Sequence, residues 1–324
     1  FGMVQFTPSF FSPQKGFVIN QLSGAGCPHM GNFPVLPISG PLQASPNNMD
    51  SFKKYKLINE SHAGFLSIEM PDRTTANLTV SKRLGLANFK FDETAKIGTV
   101  LIGSGVSSTE VNNAMINITS NSSCEGFAEG GDFCGSSTNY KLYFVAEFDR
   151  SFSSSGTWAK NVLSEELSLA SGKDSGAYFS FDTTEISEVN YRIAISYVSI
   201  ENAKENLKAS IIDGGFSAYK KNAEYAWDTC LSKISIVSPN ADRKTQFYTH
   251  LYHSLIHPNI VSDVNGQYMG ADFKVHKTKL DDQYSSFSVW DTYRTQAQLV
   301  AMLYPEQSSE MMQSLVDFAD QSGG

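Results

Sequence analysis

The chain has 324 residues, a formal net charge of −8, 41% hydrophobic residues and 18% charged ones, a composition that is ordinary for a globular protein. It lacks a basic run or an arginine- and lysine-rich stripe, which argues against a nucleic-acid partner. No stretch approaches the ~20 consecutive apolar residues of a membrane-spanning helix, and we find no signal-peptide pattern. Phe1 lies inside a strand-like pattern, so we expect the chain to be a piece of a longer or processed protein.

Residues 20–37, NQLSGAGCPHMGNFPVLP, contain a glycine-rich turn formed by Gly24, Ala25, Gly26 and Cys27. Glycine permits a positive φ and a close approach of the backbone to a ligand. The turn is therefore either a ligand-contacting loop or simply a tight loop. It lacks the G-x-G-x-x-G pattern leading into a helix, which disfavours dinucleotide binding.

The dominant hydrophobic period from residue 53 to 200 is two. Short runs rich in Val, Ile, Tyr, Phe and Thr, such as KLYFVAEF (141–148), are separated by Gly, Asn, Asp and Ser clusters. Many short strands in series predict an antiparallel β-sandwich. Parallel units would need helices of ten or more residues between the strands, and this region has no such pattern. We assign residues 1–205 to the sandwich domain.

Cysteines and sequons in this region bear on the compartment. Cys124 and Cys134 bracket a glycine-rich segment and either form a disulfide or remain free, buried thiols. Four N-x-S/T sequons begin at Asn59, Asn77, Asn117 and Asn121, and together they favour a secreted or otherwise extracytoplasmic protein.

From about residue 201 the hydrophobic period becomes 3.6, which predicts helices. The first covers ENAKENLKA (201–209), and the second covers 216–234 with one apolar face. Trp227 lies on that face, where we interpret it as packing. Ser238 is predicted to cap a third helix with Pro239 at its first position. We therefore assign 206–237 to a helical linker and 238–324 to the opening helices of an α-helical domain.

Two features of residues 250–272 resemble metal sites only superficially. His250, His253 and His257 recur at helical spacing, but the H-E-x-x-H pattern is absent, so we favour packing histidines. The segment SDVNGQYMGAD (262–272) lacks the EF-hand register and its closing Glu. We predict a β-hairpin with Asn265 and Gly266 at the turn.

A helix is predicted over 288–303, where SVWDTYR leads into an apolar run that Pro305 ends. Two interpretations of its start are open. In the first, Asp291 caps the helix and pairs with Arg294. In the second, Trp290 offers a flat apolar face to a sugar ring, Asp291 accepts hydrogen bonds from vicinal hydroxyls, and Arg294 orients the carboxylate.

Five segments resemble glycoside hydrolase family 92, the calcium-dependent exo-acting α-mannosidases, and the resemblance covers nearly the whole chain. They are FGMVQFTP, QLSGAGCPHMGNFPVLP, ISYVSIENAKENL, LYHSLIHPNIVSDVNGQYMG and the region from SVWDTYR to QSGG. The resemblance implies an N-terminal antiparallel β-sandwich, a helical linker and the start of an (α/α)6 barrel. It also implies a Ca²⁺ cofactor and hydrolysis, with inversion, of terminal α-linked mannose from glycans, with α-1,2 linkages the expected substrate.

The resemblance assigns residues of this chain to sugar binding and not to proton transfer. Trp290 and Asp291 match the family's sugar-holding helix start, and the turn from Gly24 to Cys27 matches a sandwich loop that lines the site. The family's acid, base and most metal ligands follow the QSGG stretch. We therefore expect residues 1–324 alone to have no hydrolase activity. Two alternatives remain: a non-catalytic carbohydrate-binding module, and a disaccharide phosphorylase of similar architecture.

Overall fold

A computed structural model describes residues 1–8, 16–20, 22, 26–27, 29–46, 57–136 and 138–324 of the chain. Within them, the first part is built of strands and the last part mainly of helices. The strands up to residue 196 are, in chain order, β1 Thr7–Pro8, β2 Phe17–Val18, β3 Val35–Ser39, β4 Leu57–His62, β5 Phe65–Glu69, β6 Thr75–Val80, β7 Leu84–Lys90, β8 Ile97–Gly103, β9 Val111–Ile118, β10 Ser123–Gly131, β11 Asn139–Phe148, β12 Ser154–Ala159, β13 Val162–Ser164, β14 Leu169–Ser171, β15 Ser175–Asp182 and β16 Glu188–Ser196.

These strands form two sheets that pack face to face. One has the order β1-β2-β3-β8-β15-β12-β13 and the other β14-β9-β10-β11-β16-β7-β6-β5-β4. Each pairing between described strands is antiparallel. The predicted antiparallel sandwich is therefore confirmed.

Aromatic side chains from both sheets fill the space between them. Phe144 and Phe148 of β11 are buried, whereas Tyr143 and Glu147 are only partly buried, as the two-residue period of a strand requires. The Phe144 ring lies 4.4 Å from that of Phe33, and the Phe148 ring lies 5.0 Å from that of Phe179 on the opposite sheet. The two-residue period in the sequence thus arises because alternate side chains face the core between the two sheets.

The remaining elements, again in chain order, are α1 Ile200–Ala209, α2 Gly215–Leu231, α3 Ala241–Ser254, β17 Asn259–Ile260, β18 Gln267–Met269, β19 Val275–Lys277, β20 Tyr284–Ser285, α4 Val289–Thr292, α5 Gln296–Leu303 and α6 Pro305–Ser322. None of the helices in the described ranges has the length and apolar character needed to cross a membrane.

The first helix packs on the outer face of the β-sandwich. The Ser199 hydroxyl accepts a hydrogen bond from the Asn202 amide at 3.1 Å, which satisfies one of the unpaired donors of the first turn. Ala203 and Leu207 then pack against Val145 and Ala194 of the nine-stranded sheet. The change of period is therefore confirmed, with the first helix beginning at Ile200.

The predicted start of the third helix was wrong by two residues. The helix begins at Ala241, and the Asn240 side chain, not that of Ser238, accepts from the Arg243 amide at 3.0 Å. The Ser238 hydroxyl instead accepts from the Asn240 amide at 3.2 Å, which forms a turn before the helix and leaves the Asn240 side chain to accept from the first turn.

Two further predictions for the C-terminal part also need correction. The predicted helix over 288–303 is two helices, because Thr295 leaves the helical conformation at φ −145°. The hairpin in this region pairs β18 with β19, so its turn lies at 270–274. Asn265 and Gly266 belong to a separate turn before β18, in which the Gly266 amide donates to the Asp263 carbonyl at 2.9 Å.

Candidate functional site

The short helix α4 presents Trp290 and Asp291 to solvent. Trp290 is 77% exposed, so the face of its indole ring is available to a ligand. One Asp291 oxygen, Oδ2, accepts from the Ser288 hydroxyl at 2.6 Å, and no described group donates to the other. This arrangement offers one carboxylate oxygen beside an exposed aromatic face, which is a geometry suited to a polyhydroxylated ligand.

Arg294 does not contact Asp291, contrary to both interpretations of the sequence. Its Nε donates to the Tyr293 hydroxyl at 3.2 Å, and its guanidinium carbon lies 5.6 Å from the centre of the Tyr293 ring. A pair three residues apart needs a continuous helix, whereas α4 ends at Thr292. The break in the helix therefore separates the two side chains.

An open groove lies directly after α4. It has a volume of about 430 Å³ and is lined by Ser254, Thr295, Gln296, Gln298, Leu299 and Met302. The Gln296 amide fixes one wall, because its Nε2 donates to the Ser254 carbonyl at 2.6 Å and to the His257 carbonyl at 3.3 Å.

A disulfide joins Cys27 to Cys134, with a Cα–Cα distance of 5.6 Å. The proposed pairing of Cys124 with Cys134 was therefore wrong, whereas the alternative of a free, buried thiol is correct for Cys124. The reason is the strand between them: Cys124 and Gly131 both lie on β10, and seven residues of strand span about 23 Å. Burial also raises the pKa of the Cys124 thiol, which keeps it protonated and unreactive.

The disulfide is one of several contacts made by residues 26–33. Gly24 and Ala25 of the predicted turn lie outside the described residues, as does Pro28 within the 26–33 segment. Gly26 is exposed, with open space around the position of a Cβ. Gly31 has a φ of +73°, and a Cβ there would clash with the Ser108 hydroxyl. A glycine is thus required at 31, while 26 is free to approach a ligand.

Buried polar side chains lie behind this segment. The Asn32 side-chain oxygen accepts from the Tyr140 hydroxyl at 2.7 Å and from the Asn20 amide at 3.2 Å. Burial raises the pKa of Tyr140 and raises that of Tyr197 to about 12, although a hydrogen bond with Asn20 opposes the shift at Tyr197. Both phenols are therefore neutral donors at physiological pH. The sequence patterns had not indicated these four residues, because single Asn and Tyr residues carry no spacing signal.

Three buried polar atoms of this cluster have no hydrogen-bond partner within the described part of the chain. They are His29 Nδ1, Asn32 Nδ2 and Ser108 Oγ. Burial lowers the pKa of His29, so its imidazole is neutral at pH 7. Because unpaired buried polar atoms are uncommon in folded proteins, these three mark the region as a candidate ligand contact.

The described residues show no hydrogen bond, ion pair or ring contact between Trp290–Arg294 and residues 26–33. Buried polar contacts elsewhere join the β-sandwich to the C-terminal part of the chain. Arg83 donates to Asp282 at 2.8 Å. The Asp263 carboxylate accepts from Ser196 at 2.7 Å and from Asn202 at 2.8 Å.

No three His, Cys, Asp or Glu side chains in the described ranges are arranged to share a metal ion. The buried Asp263 carboxylate already accepts from three side-chain donors. His250 and His253 are exposed, which contradicts the prediction that they are packing histidines. His257 lies beyond the end of α3, 2.7 Å from the Asn259 oxygen.

Comparison with known families gives two matches in tandem. The glycosyl hydrolase family 92 N-terminal domain matches residues 1–196, and the glycosyl hydrolase family 92 catalytic domain matches residues 202–324. A comparison with curated proteins gives no match.

Several solved structures share this fold. A family GH92 α-mannosidase from Bacteroides thetaiotaomicron is 24% identical, with a TM-score of 0.89 over 99% of this chain and 46% of its own. The same enzyme is also known in complex with mannoimidazole. A GH92 inverting mannosidase from B. thetaiotaomicron VPI-5482 is 20% identical, with a TM-score of 0.83 over 99% of this chain and 45% of its own. The chain therefore spans less than half the length of these structures, and the predicted fold class is confirmed.

Proposed function

Because the chain belongs to glycosyl hydrolase family 92, we propose that it supplies the β-sandwich and first helices of an exo-acting α-mannosidase. The substrate is a glycan with terminal α-linked mannose, and α-1,2 linkages are preferred. The observation that carries the proposal is the match of both family domains, in order, over residues 1–196 and 202–324. The names of the structural neighbours, α-mannosidase and inverting mannosidase, support the substrate class and the stereochemistry.

Inverting hydrolysis requires two carboxyl groups about 6.5–9.5 Å apart, one protonating the glycosidic oxygen and the other activating water. We place both outside residues 1–324. The role of this chain is then to bind and orient the terminal mannose. Trp290 stacks against the sugar ring. Asp291 Oδ1, the oxygen that does not accept from Ser288, accepts hydrogen bonds from the sugar hydroxyls.

The second wall of the proposed site comes from the β-sandwich. We propose that the turn of Gly24, Ala25, Gly26 and Cys27 lines the site, as the family resemblance implies. The open space around Gly26 and the unpaired Asn32 Nδ2 support this placement. Arg294 contacts Tyr293. It therefore contributes to the shape of the wall formed by Trp290 and Asp291 and does not orient Asp291.

Two further parts of the proposal concern the cofactor and the compartment. We assign Ca²⁺ to ligands outside the described residues, where it would bind sugar hydroxyls and favour distortion of the ring. An extracytoplasmic location is supported by the Cys27–Cys134 disulfide, since such bonds persist mainly in oxidising compartments. The four sequons are consistent with that location.

Mannose release from an α-1,2-linked mannobiose tests the proposal. The whole enzyme is expected to release mannose as the β-anomer without added phosphate, and residues 1–324 alone are expected to release none. Phosphate-dependent release would instead identify a phosphorylase. Mannobiose binding by the whole protein with no hydrolysis of any α-mannoside would favour the carbohydrate-binding module.

A further inference from the structure

Residues 26–33 make three successive contacts with the segment that links β10 to β11 and with the start of β11. Cys27 is bonded to Cys134, the His29 ring lies 4.5 Å from that of Phe133, and Asn32 accepts from the Tyr140 hydroxyl at 2.7 Å. Two of these contacts are strong. The disulfide is covalent, and the hydrogen bond involves an Asn32 side chain with no exposed surface.

We propose that the Cys27–Cys134 disulfide and the Asn32–Tyr140 hydrogen bond jointly position residues 26–33 and thereby set the enzyme's affinity for its glycan. This inference rests on the proposed function, because it requires that the segment contact the substrate. Cys27, Cys134 and Tyr140 are positioning residues here, since they act through the backbone and through Asn32.

The two contacts act at opposite ends of the segment. Near Cys27 the neighbouring Gly26 is exposed, and no described atom lies within 4 Å of a Cβ position there. Near Asn32 the backbone is already fixed: the Asn32 amide donates to the Asn20 side chain at 2.8 Å and the Ile19 amide donates to the Asn32 carbonyl at 3.1 Å. Breaking the disulfide therefore frees the exposed end, while Asn32 keeps the other end in place.

The sandwich itself depends little on this bond. Phe33, at the end of the segment, and Phe144 of β11 are fully buried and in ring contact. Strand β10 pairs with β11 over Ser123–Gly131 and Asn139–Glu147, and Cys134 takes no part in that pairing. A cysteine variant should therefore keep its strands and its core while the 26–33 segment gains freedom.

The test uses the whole enzyme at a temperature well below its unfolding transition. The variants are the double substitution Cys27→Ser with Cys134→Ser, the single substitution Tyr140→Phe, and the two combined. Cys230→Ser is the matched control, because Cys230 is a free, partly buried thiol. Dithiothreitol, which reduces a disulfide to two thiols, is applied to the natural enzyme and to the double-serine variant.

We expect the double-serine variant to raise KM for α-1,2-mannobiose by roughly 3–10-fold with kcat within about twofold, as for a loss of uniform binding. Tyr140→Phe alone should have a smaller effect. The combined variant should show about the product of the two effects, because the contacts act at opposite ends of the segment. Dithiothreitol should reproduce the effect in the natural enzyme and add nothing in the double-serine variant.

An unchanged KM, or equal losses of kcat and kcat/KM, would overturn the inference. Amide hydrogen exchange over residues 26–31, the part of the segment nearest the disulfide, separates this failure from that of the proposed function. Faster exchange in the double-serine variant is expected whatever the substrate is, and unchanged exchange refutes the positioning role. A natural enzyme that releases no mannose from any α-mannoside refutes the proposed function instead.

Discussion

Arg83 and Asp282 are 199 positions apart in the chain, and their side chains meet at 2.8 Å in a buried ion pair. Arg83 also donates from Nε to the Ser262 carbonyl at 2.9 Å, and Lys82 lies 2.5 Å from the other Asp282 oxygen. Arg83 follows β6 in the sandwich, whereas Asp282 precedes β20. This group of charges therefore links the sandwich to the C-terminal part of the chain.

We expect Arg83→Met to lower the free energy of unfolding by about 3 kcal/mol, because removing one partner leaves a buried carboxylate and a buried carbonyl poorly compensated. In the variant Lys82 still pairs with the Asp282 carboxylate, but it does not replace the hydrogen bond of Arg83 to the Ser262 carbonyl. Urea denaturation followed by fluorescence measures the change. Lys173→Met, which removes an exposed pair with Glu110 at 3.4 Å, should cost less than ~1 kcal/mol. Similar costs for both would contradict the linking role.

The Asp263 carboxylate is the second buried charge at this junction. Oδ2 accepts from Ser196 and Asn202, and Oδ1 accepts from Asn206 at 2.6 Å. Asp263→Asn would direct an amide donor at one of these donors, so we expect a loss of about 1–3 kcal/mol. Thermal unfolding at pH 7 measures it, with the exposed Asp213→Asn as control. An unchanged midpoint would show that the network is not needed for stability.

The same residue predicts a pH dependence. Burial is the main cause that raises the pKa of Asp263, and the hydrogen bonds from Ser196, Asn202 and Asn206 oppose it. The folded state therefore binds more protons than the unfolded state just above the unfolded pKa of about 3.9, and stability falls there as pH rises. Subtracting the Asp263→Asn curve of stability against pH from the natural one should isolate this decline. A difference that rises with pH would contradict the prediction.

Sequence alone predicted the sandwich and the helices because both rest on periodicity. The alternation along β11 and the apolar face of α2 are repeated signals. Trp227 packs 4.5 Å from the Tyr252 ring, as its helical context predicted, whereas Trp290 is exposed.

Tertiary contacts between distant or isolated residues were not predictable. The Cys27–Cys134 bond joins positions 107 residues apart, and the Cys124–Cys134 spacing suggested a shorter, incorrect pair. Arg294 contacts Tyr293 because α4 ends at Thr292. No Pro or Gly in that stretch predicts the helix break. Asn32 is a single buried asparagine whose role depends on Asn20 and Tyr140, and a pairing of this kind leaves no period in the sequence.

Burial lowers the pKa of His29, which gives a second pH dependence of opposite sign. Below the unfolded pKa of about 6.5, the unfolded state takes up a proton more readily than the folded state. Stability should therefore fall as pH decreases from about 6.5 towards the folded pKa. We expect the natural protein to lose more stability between pH 7.5 and pH 5 than His29→Asn, measured by thermal unfolding. The exposed His250→Asn is the control and should follow the natural protein.

Calcium should act on the whole enzyme and not on residues 1–324. We expect chelation to abolish mannose release by the whole enzyme and added Ca²⁺ to restore it. Because the described residues hold no group of three metal-binding side chains, Ca²⁺ should leave the melting temperature of residues 1–324 unchanged while raising that of the whole enzyme. Full activity after exhaustive chelation would count against the cofactor assignment.

Asp291→Asn separates the two interpretations of the helix start. If the free carboxylate oxygen binds the terminal mannose, the variant loses charged hydrogen bonds worth roughly 1.5–3 kcal/mol each. A sugar bound out of position is also less easily distorted towards the transition state. We therefore expect kcat/KM of the whole enzyme to fall ~10-fold or more, at 1.36 kcal/mol per factor of ten, with little change in melting temperature because Asp291 is exposed.

The control for this variant is Asp228→Asn, in the other Trp-Asp-Thr tripeptide of the chain. Asp228 is also exposed, but its neighbour Trp227 is partly buried and packs against Tyr252. Its substitution should leave both kcat/KM and the melting temperature unchanged. A purely structural Asp291, whose main contact is the hydroxyl of Ser288, predicts the reverse for Asp291→Asn: a lower melting temperature with normal kinetics in the folded fraction. Equal kinetic losses at 228 and 291 would mean that neither aspartate is specific to the sugar.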